Sequence, residues 1–415
     1  MTSTRGDRPA RDQGLLVGAL LLAGLSMRTA VTSVGAVLGD IETGLHSNSV
    51  VAGLLTTLPA ICFAVLGALS PSLAARTGQH RLLVIALGAM TVGLVARAFA
   101  GQAWLFLVLS VLGLAGGAVA NVVLPSLVKS HFPDRIGRMT AVYTTALAVG
   151  TTAGAGVTVP IGTLAGGPDS WRVGIGSWAI LSAIALLAWM PTVRHDAARG
   201  TGPRLLSPRL LIRSPTVWRV TMFFAFQSVQ AYIAFGWFER FLTAHGTGDT
   251  TAGLMVALLT AMSIPVSMIV PSVPTRYHRL VMLALTASYA AAYAGLSFAP
   301  GGAWLWMVLA GIGSGMFPFS LVLIGYRSAT PATTASLSAF AQGVGYLIAA
   351  CGPLLFGVLH GATGGWTASL LVLWVALAVA AVGGWLSCTP RTVDDDLAER
   401  LNANRPPAAG RPAPR

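Results

Sequence analysis

Long apolar runs, separated by short polar segments, make up most of this chain. A helix of about 20 apolar residues is long enough to cross the hydrocarbon core of a bilayer. Backbone groups in lipid must find their partners inside the segment, so we predict that each run is an α-helix. The runs cover roughly residues 14–38, 50–75, 80–100, 103–128, 138–163, 171–191, 216–242, 251–274, 279–299, 303–327, 332–360 and 366–388. The pattern therefore predicts an all-α membrane protein with twelve transmembrane helices.

The composition indicates a surface that faces lipid rather than water. Of the 415 residues, 54% are hydrophobic and 9% are charged, whereas a soluble domain carries about 25% charged residues. So few charges cannot cover a water-facing surface, which excludes a soluble enzyme. The net charge of +13 does not indicate a nucleic-acid partner, because the basic residues are spread over many short loops. We expect the lipid bilayer to surround the protein.

Lysine and arginine residues predict the orientation in the membrane, since cytoplasmic loops carry an excess of them. With the N-terminus placed in the cytoplasm, 22 of the 26 basic residues fall on the cytoplasmic side. Arg172 and Arg240 fall on the external side, while Arg28 and Arg97 fall within spans. We therefore predict a multi-pass protein of the cell membrane with both termini in the cytoplasm.

A long polar connection divides the twelve spans into two bundles of six. Residues 192–215 carry several arginines and prolines and few large apolar residues, which is typical of a cytoplasmic linker. The segment after the last span is polar and rich in proline, which predicts disorder. The predicted domains are a cytoplasmic tail (1–13), the first bundle (14–191), the linker (192–215), the second bundle (216–388) and a disordered cytoplasmic tail (389–415).

The two halves repeat each other at an offset of 200 residues. The matching segments include Ala52-Gly53-Leu54 with Ala252-Gly253-Leu254, Pro71-Ser72 with Pro271-Ser272, Arg76 with Arg276, and Ala103-Trp104-Leu105 with Ala303-Trp304-Leu305. Two halves in the same orientation imply a pseudo-two-fold axis along the membrane normal. This arrangement favours a central site between the halves and alternating access by rocking.

The loop between the second and third spans resembles a gating loop of the major facilitator superfamily. Arg76 and Gly78 fit the family pattern, Arg81 follows them, and Ala75 stands where the family has an acidic residue. Other stretches resemble, more narrowly, the CynX/NimT family of cyanate and 2-nitroimidazole transporters. These are Met27 to Gly35, Asn121 to Lys129, Tyr143 to Leu147, and Phe340 to Tyr346.

The resemblance implies a secondary active transporter that moves a small solute through a central cavity by alternating access. A cyanate-like or nitroimidazole-like solute is the implied substrate class, and a proton is the expected coupling ion. A proton-coupled exporter of drugs or natural products uses the same fold and stays open as the alternative. We expect a monomer without a cofactor.

Arg28 is the strongest candidate for a substrate-binding residue. It lies 14 residues after Gly14, about 21 Å along a helix, which is too deep for easy snorkelling to the cytoplasm. Thr32 follows on the same helix face. The spans hold no acidic residue deep enough to be an obvious partner, so Arg28 is predicted to bind an anionic or strongly polar substrate. The alternative is an arginine satisfied by backbone carbonyls, amides or Glu239.

Amide and aromatic side chains within the spans are further candidates. Gln227 and Gln230 share one face of the seventh span, and Trp237 follows on that side. Two amides and an aromatic ring suit a small planar polar ligand. Asn121, Gln342, Tyr346 and Tyr143 are similar candidates. The alternative for all of them is hydrogen bonding between helices.

Other features narrow the mechanism. The chain has no Gly-x4-Gly-Lys-Ser/Thr loop to bind ATP, and no Ser/His/Asp set or His-Glu-x-x-His motif. An enzyme and a metal site are therefore not expected. Glu239, near the outer edge of the seventh span, is the best candidate for proton coupling. Arg97, near the outer end of the third span, is explained by snorkelling.

Overall fold

The computed structural model describes residues 10–47, 49–167, 169–196 and 206–403, which form α-helices joined by 3₁₀ turns and short loops. The helices of the first half are α1 (Ala10–Ser26), α2 (Thr29–Ala36), α3 (Leu38–Gly44), α4 (Ser49–Thr77), α5 (Gln79–Ala98), α6 (Ala103–His131), α7 (Ile136–Ala165) and α8 (Ser170–Trp189). The helices that follow are α9 (Pro208–Leu211), α10 (Pro215–Ala244), α11 (Asp249–Ile269), α12 (His278–Phe298), α13 (Ala303–Gly313), α14 (Met316–Tyr326), α15 (Pro331–Thr363), α16 (Thr367–Ser387) and α17 (Val393–Ala403).

These helices provide the twelve membrane-spanning segments that the apolar runs predict. Among the described residues, eleven segments are long and apolar enough to cross a bilayer. The twelfth is α10, which has 30 residues and an apolar run interrupted by Gln227, Ser228 and Gln230. It packs against α15 and α16. The predicted all-α membrane fold of two six-helix bundles is therefore confirmed.

The first span is not one continuous helix over 14–38, as its apolar run predicts. Helix α1 ends at Ser26, and α2 begins at Thr29 with Arg28 as its N-terminal cap residue. The carbonyl of Arg28 accepts hydrogen bonds from the backbone N–H groups of Val31 and Thr32, both at 3.0 Å. The break therefore places Arg28 at the start of a short half-helix inside the bundle.

Two glycines of neighbouring spans lie directly against this break. A Cβ atom on Gly117 of α6 would overlap the carbonyl oxygen of Met27, and one on Gly150 of α7 would overlap that of Leu25. Small residues of this kind let helix backbones approach each other closely in membranes. The close approach holds α1 and the break against α6 and α7.

The two bundles contact each other at the end of the molecule that carries the connecting segment, which we call the linker side (residues 126–137, 190–196, 206–211 and 325–331). Ser126 Oγ donates a hydrogen bond to Pro331 O at 2.8 Å, and Lys129 Nζ donates to Gly325 O at 3.4 Å. The hydroxyl of Ser126 also accepts a hydrogen bond from Gln79 Nε2 at 2.8 Å. The first two bonds join the end of α6 to the start of α15 and to the end of α14 across the interface.

The prediction of a disordered tail over 389–415 is wrong for residues 393–403, which form α17. Asp396 of this helix accepts hydrogen bonds from Ser214 Oγ at 2.5 Å and from the backbone N–H of Thr216 at 3.0 Å. A carboxylate at this position satisfies N–H groups that have no partner within α10 and interacts favourably with the helix dipole. The charged tail is therefore folded onto the second bundle.

The other predicted boundaries shift by a few residues. Helix α1 begins at Ala10, inside the predicted tail 1–13, and a 3₁₀ turn over Met190–His195 extends into the predicted linker 192–215. The rest of the predicted N-terminal tail, the linker residues 197–205 and the end of the C-terminal tail lie outside the described residues.

Candidate functional site

A cavity of about 70 Å³ lies between the two bundles. The first bundle contributes Arg28, Leu147, Ala148 and Thr151 to its wall. The second bundle contributes polar and aromatic groups, among them Gln227, Ser228, Tyr232, Ser263, Phe317 and Tyr346. No acidic residue of the described chain lines the cavity. The site is therefore small, rich in hydroxyl groups, and positively charged through Arg28.

The guanidinium of Arg28 is half-buried in this wall. Its Cζ atom lies 4.9 Å from the ring centroid of Phe317, so a cation–π contact joins the first bundle to the second. The charge also lies within electrostatic reach of the hydroxyls of Tyr232 and Tyr346. Its Nε atom is buried with no hydrogen-bond partner among the described residues. This arginine therefore keeps capacity to donate to an anion.

Gln227 also lines the cavity, as the sequence predicts, but both of its amide hydrogens are used within the protein. Gln227 Nε2 donates to Phe224 O at 3.0 Å and to Ser228 Oγ at 2.7 Å. Its amide group is thereby fixed in orientation on α10. A ligand in the cavity would find the hydroxyl groups of Ser228 and Tyr232 on the same helix.

A hydrogen-bonded layer lies behind the cavity and joins the bundles. Asn121 Nδ2 donates to Tyr346 Oη at 2.7 Å, and Gln342 Nε2 donates to Asn121 O at 2.8 Å. All three side chains are buried, and only Tyr346 reaches the cavity wall. The structure therefore brings these predicted residues together, with Asn121 and Gln342 in the layer that holds Tyr346.

Four other predicted residues do not line the cavity. Gln230 Oε1 accepts a hydrogen bond from Tyr293 Oη at 2.9 Å, and Trp237 Nε1 donates to Pro353 O at 3.1 Å. Thr32 Oγ1 donates to the carbonyl of Arg28 at 3.1 Å. The side chain of Tyr143 is fully buried and is not part of the cavity wall. The geometry thus gives Gln230, Trp237 and Thr32 hydrogen bonds within the protein.

Glu239 lies away from the cavity. Its side chain is exposed near the end of α10, and it is not among the residues of the cavity wall. Its role in proton coupling stays a prediction.

The gating loop of the sequence analysis has an unforeseen partner. Gly78 has φ +94°, a conformation that favours glycine, and α5 begins directly after it. The carboxylate of Asp196 accepts hydrogen bonds from the backbone N–H groups of His80 at 3.0 Å and Arg81 at 2.8 Å. This carboxylate supplies a negative charge beside a loop in which Ala75 replaces the family's acid. Comparison of the loop with the family motif does not reveal Asp196, because this residue is 116 positions away from His80 along the chain.

The explanation of Arg97 by snorkelling is wrong. The side chain is 0% exposed and points into the bundle. Arg97 Nη1 donates to Ala30 O at 3.0 Å, and Nη2 donates to Ser33 Oγ at 3.1 Å. Both acceptors belong to α2. The membrane-embedded part of the first bundle therefore holds two arginines beside the same half-helix.

Comparison with known sequences identifies the protein family of this chain. The model of the Major Facilitator Superfamily matches residues 20–350. The chain is 36% identical to the transporter YycB of Bacillus subtilis (strain 168), over 89% of this chain and 92% of the relative. It is 31% identical to the 2-nitroimidazole transporter of Escherichia coli (strain K12), over 89% and 94%. It is 28% identical to the cyanate transport protein CynX of the same organism, over 88% and 94%. The chain belongs to the Major Facilitator Superfamily.

Solved structures agree on the fold. The proton:xylose symporter XylE superposes with a TM-score of 0.76 at 14% identity, over 93% of this chain and 98% of that chain. The human organic anion transporter MFSD10 superposes with a TM-score of 0.69 at 14% identity, over 91% and 100%. The relatives and the fold together identify a multi-pass membrane transporter that resembles the CynX/NimT family, rather than an enzyme.

Proposed function

We propose that this transporter moves a small anionic or strongly polar solute through the cavity between its bundles, with Arg28 as the group that binds negative charge. One observation carries the proposal: a half-buried guanidinium lines a cavity that holds no acidic residue of the described chain. An ionised side chain at membrane depth is costly and is a functional candidate by default. A bound anion would offset that cost.

The shape and chemistry of the cavity favour a small, planar, hydrogen-bonding solute. A volume of about 70 Å³ has room for few heavy atoms. Phe317 and Tyr346 contribute aromatic rings to the wall, while Ser228, Ser263 and Tyr232 are wall residues that carry hydroxyl groups. The relatives named for cyanate and 2-nitroimidazole transport support this substrate class.

We propose an orientation in which the linker side faces the cytoplasm, since 22 of the 26 basic residues then lie on the cytoplasmic side of the membrane. The cross-bundle bonds of Ser126 and Lys129 close that side. Rocking of the bundles would break them and open the cavity to the cytoplasm. Transport in either direction then proceeds by alternating access.

A proton is the proposed coupling ion. The fold-level neighbour XylE is a proton:xylose symporter, which supports this choice. No carboxylate of the described residues lines the cavity, so a proton carried by the substrate itself is the simplest route. Uptake into proteoliposomes at several pH gradients measures the coupling, with Glu239→Gln as the variant that tests the exposed carboxylate.

The binding experiment uses the purified full-length protein in detergent. Cyanate, nitrate and 2-nitroimidazole are tested for stabilisation of the native state in thermal unfolding, because a ligand stabilises the state that it binds. We expect the shift by small anions to vanish in Arg28→Ala. The matched control is Arg240→Ala, which removes an exposed arginine that stacks on Trp237 5.6 Å away.

The exporter alternative rests on the aromatic content of the wall, where Tyr232, Phe235, Tyr289, Phe317 and Tyr346 contribute rings. A broad exporter would be stabilised by bulky neutral compounds and would bind them equally well in Arg28→Ala. That result would overturn the role of Arg28 and support the exporter.

A further inference from the structure

Arg97 is a buried cation whose hydrogen bonds are directed at a single short element. It lies in the last turn of α5 and is 0% exposed. Its two terminal nitrogens bind Ala30 O and Ser33 Oγ of α2, at 3.0 and 3.1 Å. Its Nε atom is buried without a hydrogen-bond partner among the described residues. No acidic side chain of the described chain forms a salt bridge with it.

Such an arrangement lowers the stability of the fold compared with an apolar side chain of the same size. A buried charge loses its hydration, and two neutral acceptors replace only part of it. The carbonyl of Ala30 lies within a helix and has its own helical donor in range. A role beyond packing is therefore the better account of a guanidinium at this position.

The element that Arg97 holds is the one that carries Arg28. Helix α2 has eight residues and begins directly after Arg28, its cap residue, whose carbonyl accepts the first hydrogen bonds of the helix. Ala30 and Ser33 are two and five residues further along, so a displacement of α2 moves Arg28 with it. On the far side of α2, Gly154 of α7 packs against Thr29 and Thr32.

We propose that Arg97 is a positioning residue that fixes α2 through its two-pronged hydrogen bonds and thereby sets Arg28 in the cavity wall. The proposal rests on the proposed function, in which Arg28 binds the anion. Arg97 does not line the cavity, so it acts through α2. A guanidinium is needed because a lysine offers one donor group in place of a rigid fork.

The first test separates a positioning role from a structural one. In the full-length protein we expect Arg97→Met to keep or raise the Tm and to weaken cyanate binding by about tenfold or more, as misplacement by about 1 Å does at other sites. Arg97→Lys should weaken binding as well, since it keeps the charge and loses the fork. Wild-type affinity in Arg97→Met would overturn the proposal.

The matched control is Arg172→Met. Arg172 also donates to backbone carbonyls, those of Ala98 at 3.1 Å and Ala100 at 2.6 Å, and it pairs with Asp169 at 2.7 Å. These contacts tie the last residue of α5 and the loop after it to α8, and they do not touch α2. We expect this variant to lower the Tm and to leave cyanate affinity unchanged, the reverse of Arg97→Met. The same pattern in both variants would overturn the proposal.

A second measurement needs no ligand and keeps the inference separate from the proposed function. Arg28→Cys is introduced after replacement of Cys62, Cys351 and Cys388, and its reaction rate with a methanethiosulfonate reagent is measured. We expect Arg97→Met to change this rate at least about fivefold and Arg172→Met to leave it unchanged, because only the first moves α2. If Arg28→Ala binds cyanate normally while the rate changes, the proposed function fails and the positioning role holds. An unchanged rate overturns the positioning role.

Discussion

Substitution of Gly150 by alanine tests whether the close contact between α7 and the broken first span is required. A methyl group at Gly150 would overlap the backbone carbonyl of Leu25, well inside the 3.0 Å that real Cβ atoms respect, so the helices must separate by about 1 Å. Overpacking of this kind costs about 1–3 kcal/mol, since a backbone oxygen cannot rotate away. The site of the strain lies three residues before Arg28.

The matched control lies on the same helix. A methyl group at Gly156 would meet no atom within 4 Å, and a glycine-to-alanine change in an exposed helix interior stabilises by about 0.5–1 kcal/mol. Both positions lie within α7 and share this gain, so it cancels, and we expect Gly150→Ala to be less stable than Gly156→Ala by about 1–3 kcal/mol. Thermal unfolding in detergent and cyanate binding are measured for both. Equal stability and equal affinity of the two variants would refute the argument that α7 positions the break.

Three further outcomes follow from named hydrogen bonds. Ser126→Ala removes the hydrogen bond to Pro331 and should raise the population ratio of the state open at the linker side to the closed state by about 2- to 10-fold. The accessibility of a cysteine introduced at that side measures this ratio, and an unchanged ratio would contradict the expectation. Tyr346→Phe strands the buried amide of Asn121 at a cost of about 1–3 kcal/mol, so a Tm equal to that of the wild type would show that the layer does not join the bundles. Burial alone raises the pKa of Asp396, but hydrogen bonds outweigh it and hold the pKa below its ordinary value of 3.8. Because the pKa of Asp396 is lower in the folded protein than in the unfolded chain, its carboxylate stabilises the fold above about pH 4. This stabilisation is lost as the pH falls through the folded pKa. The Tm deficit of Asp396→Asn at pH 7 should therefore shrink near pH 3, and a constant deficit would refute this.

The apolar runs predict the spans well because a bilayer leaves a buried backbone few alternatives to helix. They do not predict the break at Met27 and Arg28, since the residues around it are as apolar as a continuous helix requires. The break packs against α6 and α7, where Gly117 and Gly150 leave room for the carbonyl groups of Met27 and Leu25. Such contacts between distant segments leave no signal in the periodicity of one segment.

In the candidate site, too, the sequence predicts some features, and packing between helices determines the others. Depth along a helix identifies Arg28, because 1.5 Å per residue places it near the middle of the membrane. Helix rotation then decides between Gln227, which lines the cavity, and Gln230, which bonds to Tyr293. These two residues are only three positions apart, and a small rotation of α10 exchanges their roles. The sequence pattern does not determine rotation with that precision.

The prediction of a disordered C-terminal tail is wrong for a different reason. Its charged residues predict disorder when they are considered alone, because they provide little apolar area to bury. In the structure Asp394 accepts hydrogen bonds from the backbone N–H of Ala329, just before α15, and from Thr333 Oγ1 in its first turn, while Asp396 accepts one from the backbone N–H of Thr216 at the start of α10. Helix N-termini in a membrane protein carry unpaired N–H groups, so an acidic segment has partners that its own sequence does not reveal.

The energetics of the two arginines connect these observations. Arg28 directly precedes α2 and Arg97 donates hydrogen bonds to it, and neither forms a salt bridge with an acidic side chain among the described residues. The bundle thus retains positive charge in a region where charge is costly. An anion that enters the cavity reduces that cost, whereas a cation increases it, so the electrostatics favour anions before any specific contact forms. In the proposed mechanism, selectivity among anions would come from the hydroxyl and aromatic groups of the cavity wall, most of which belong to the second bundle. Rocking of the bundles would move those groups relative to Arg28, so the contacts that select the substrate would also link its binding to the conformational change.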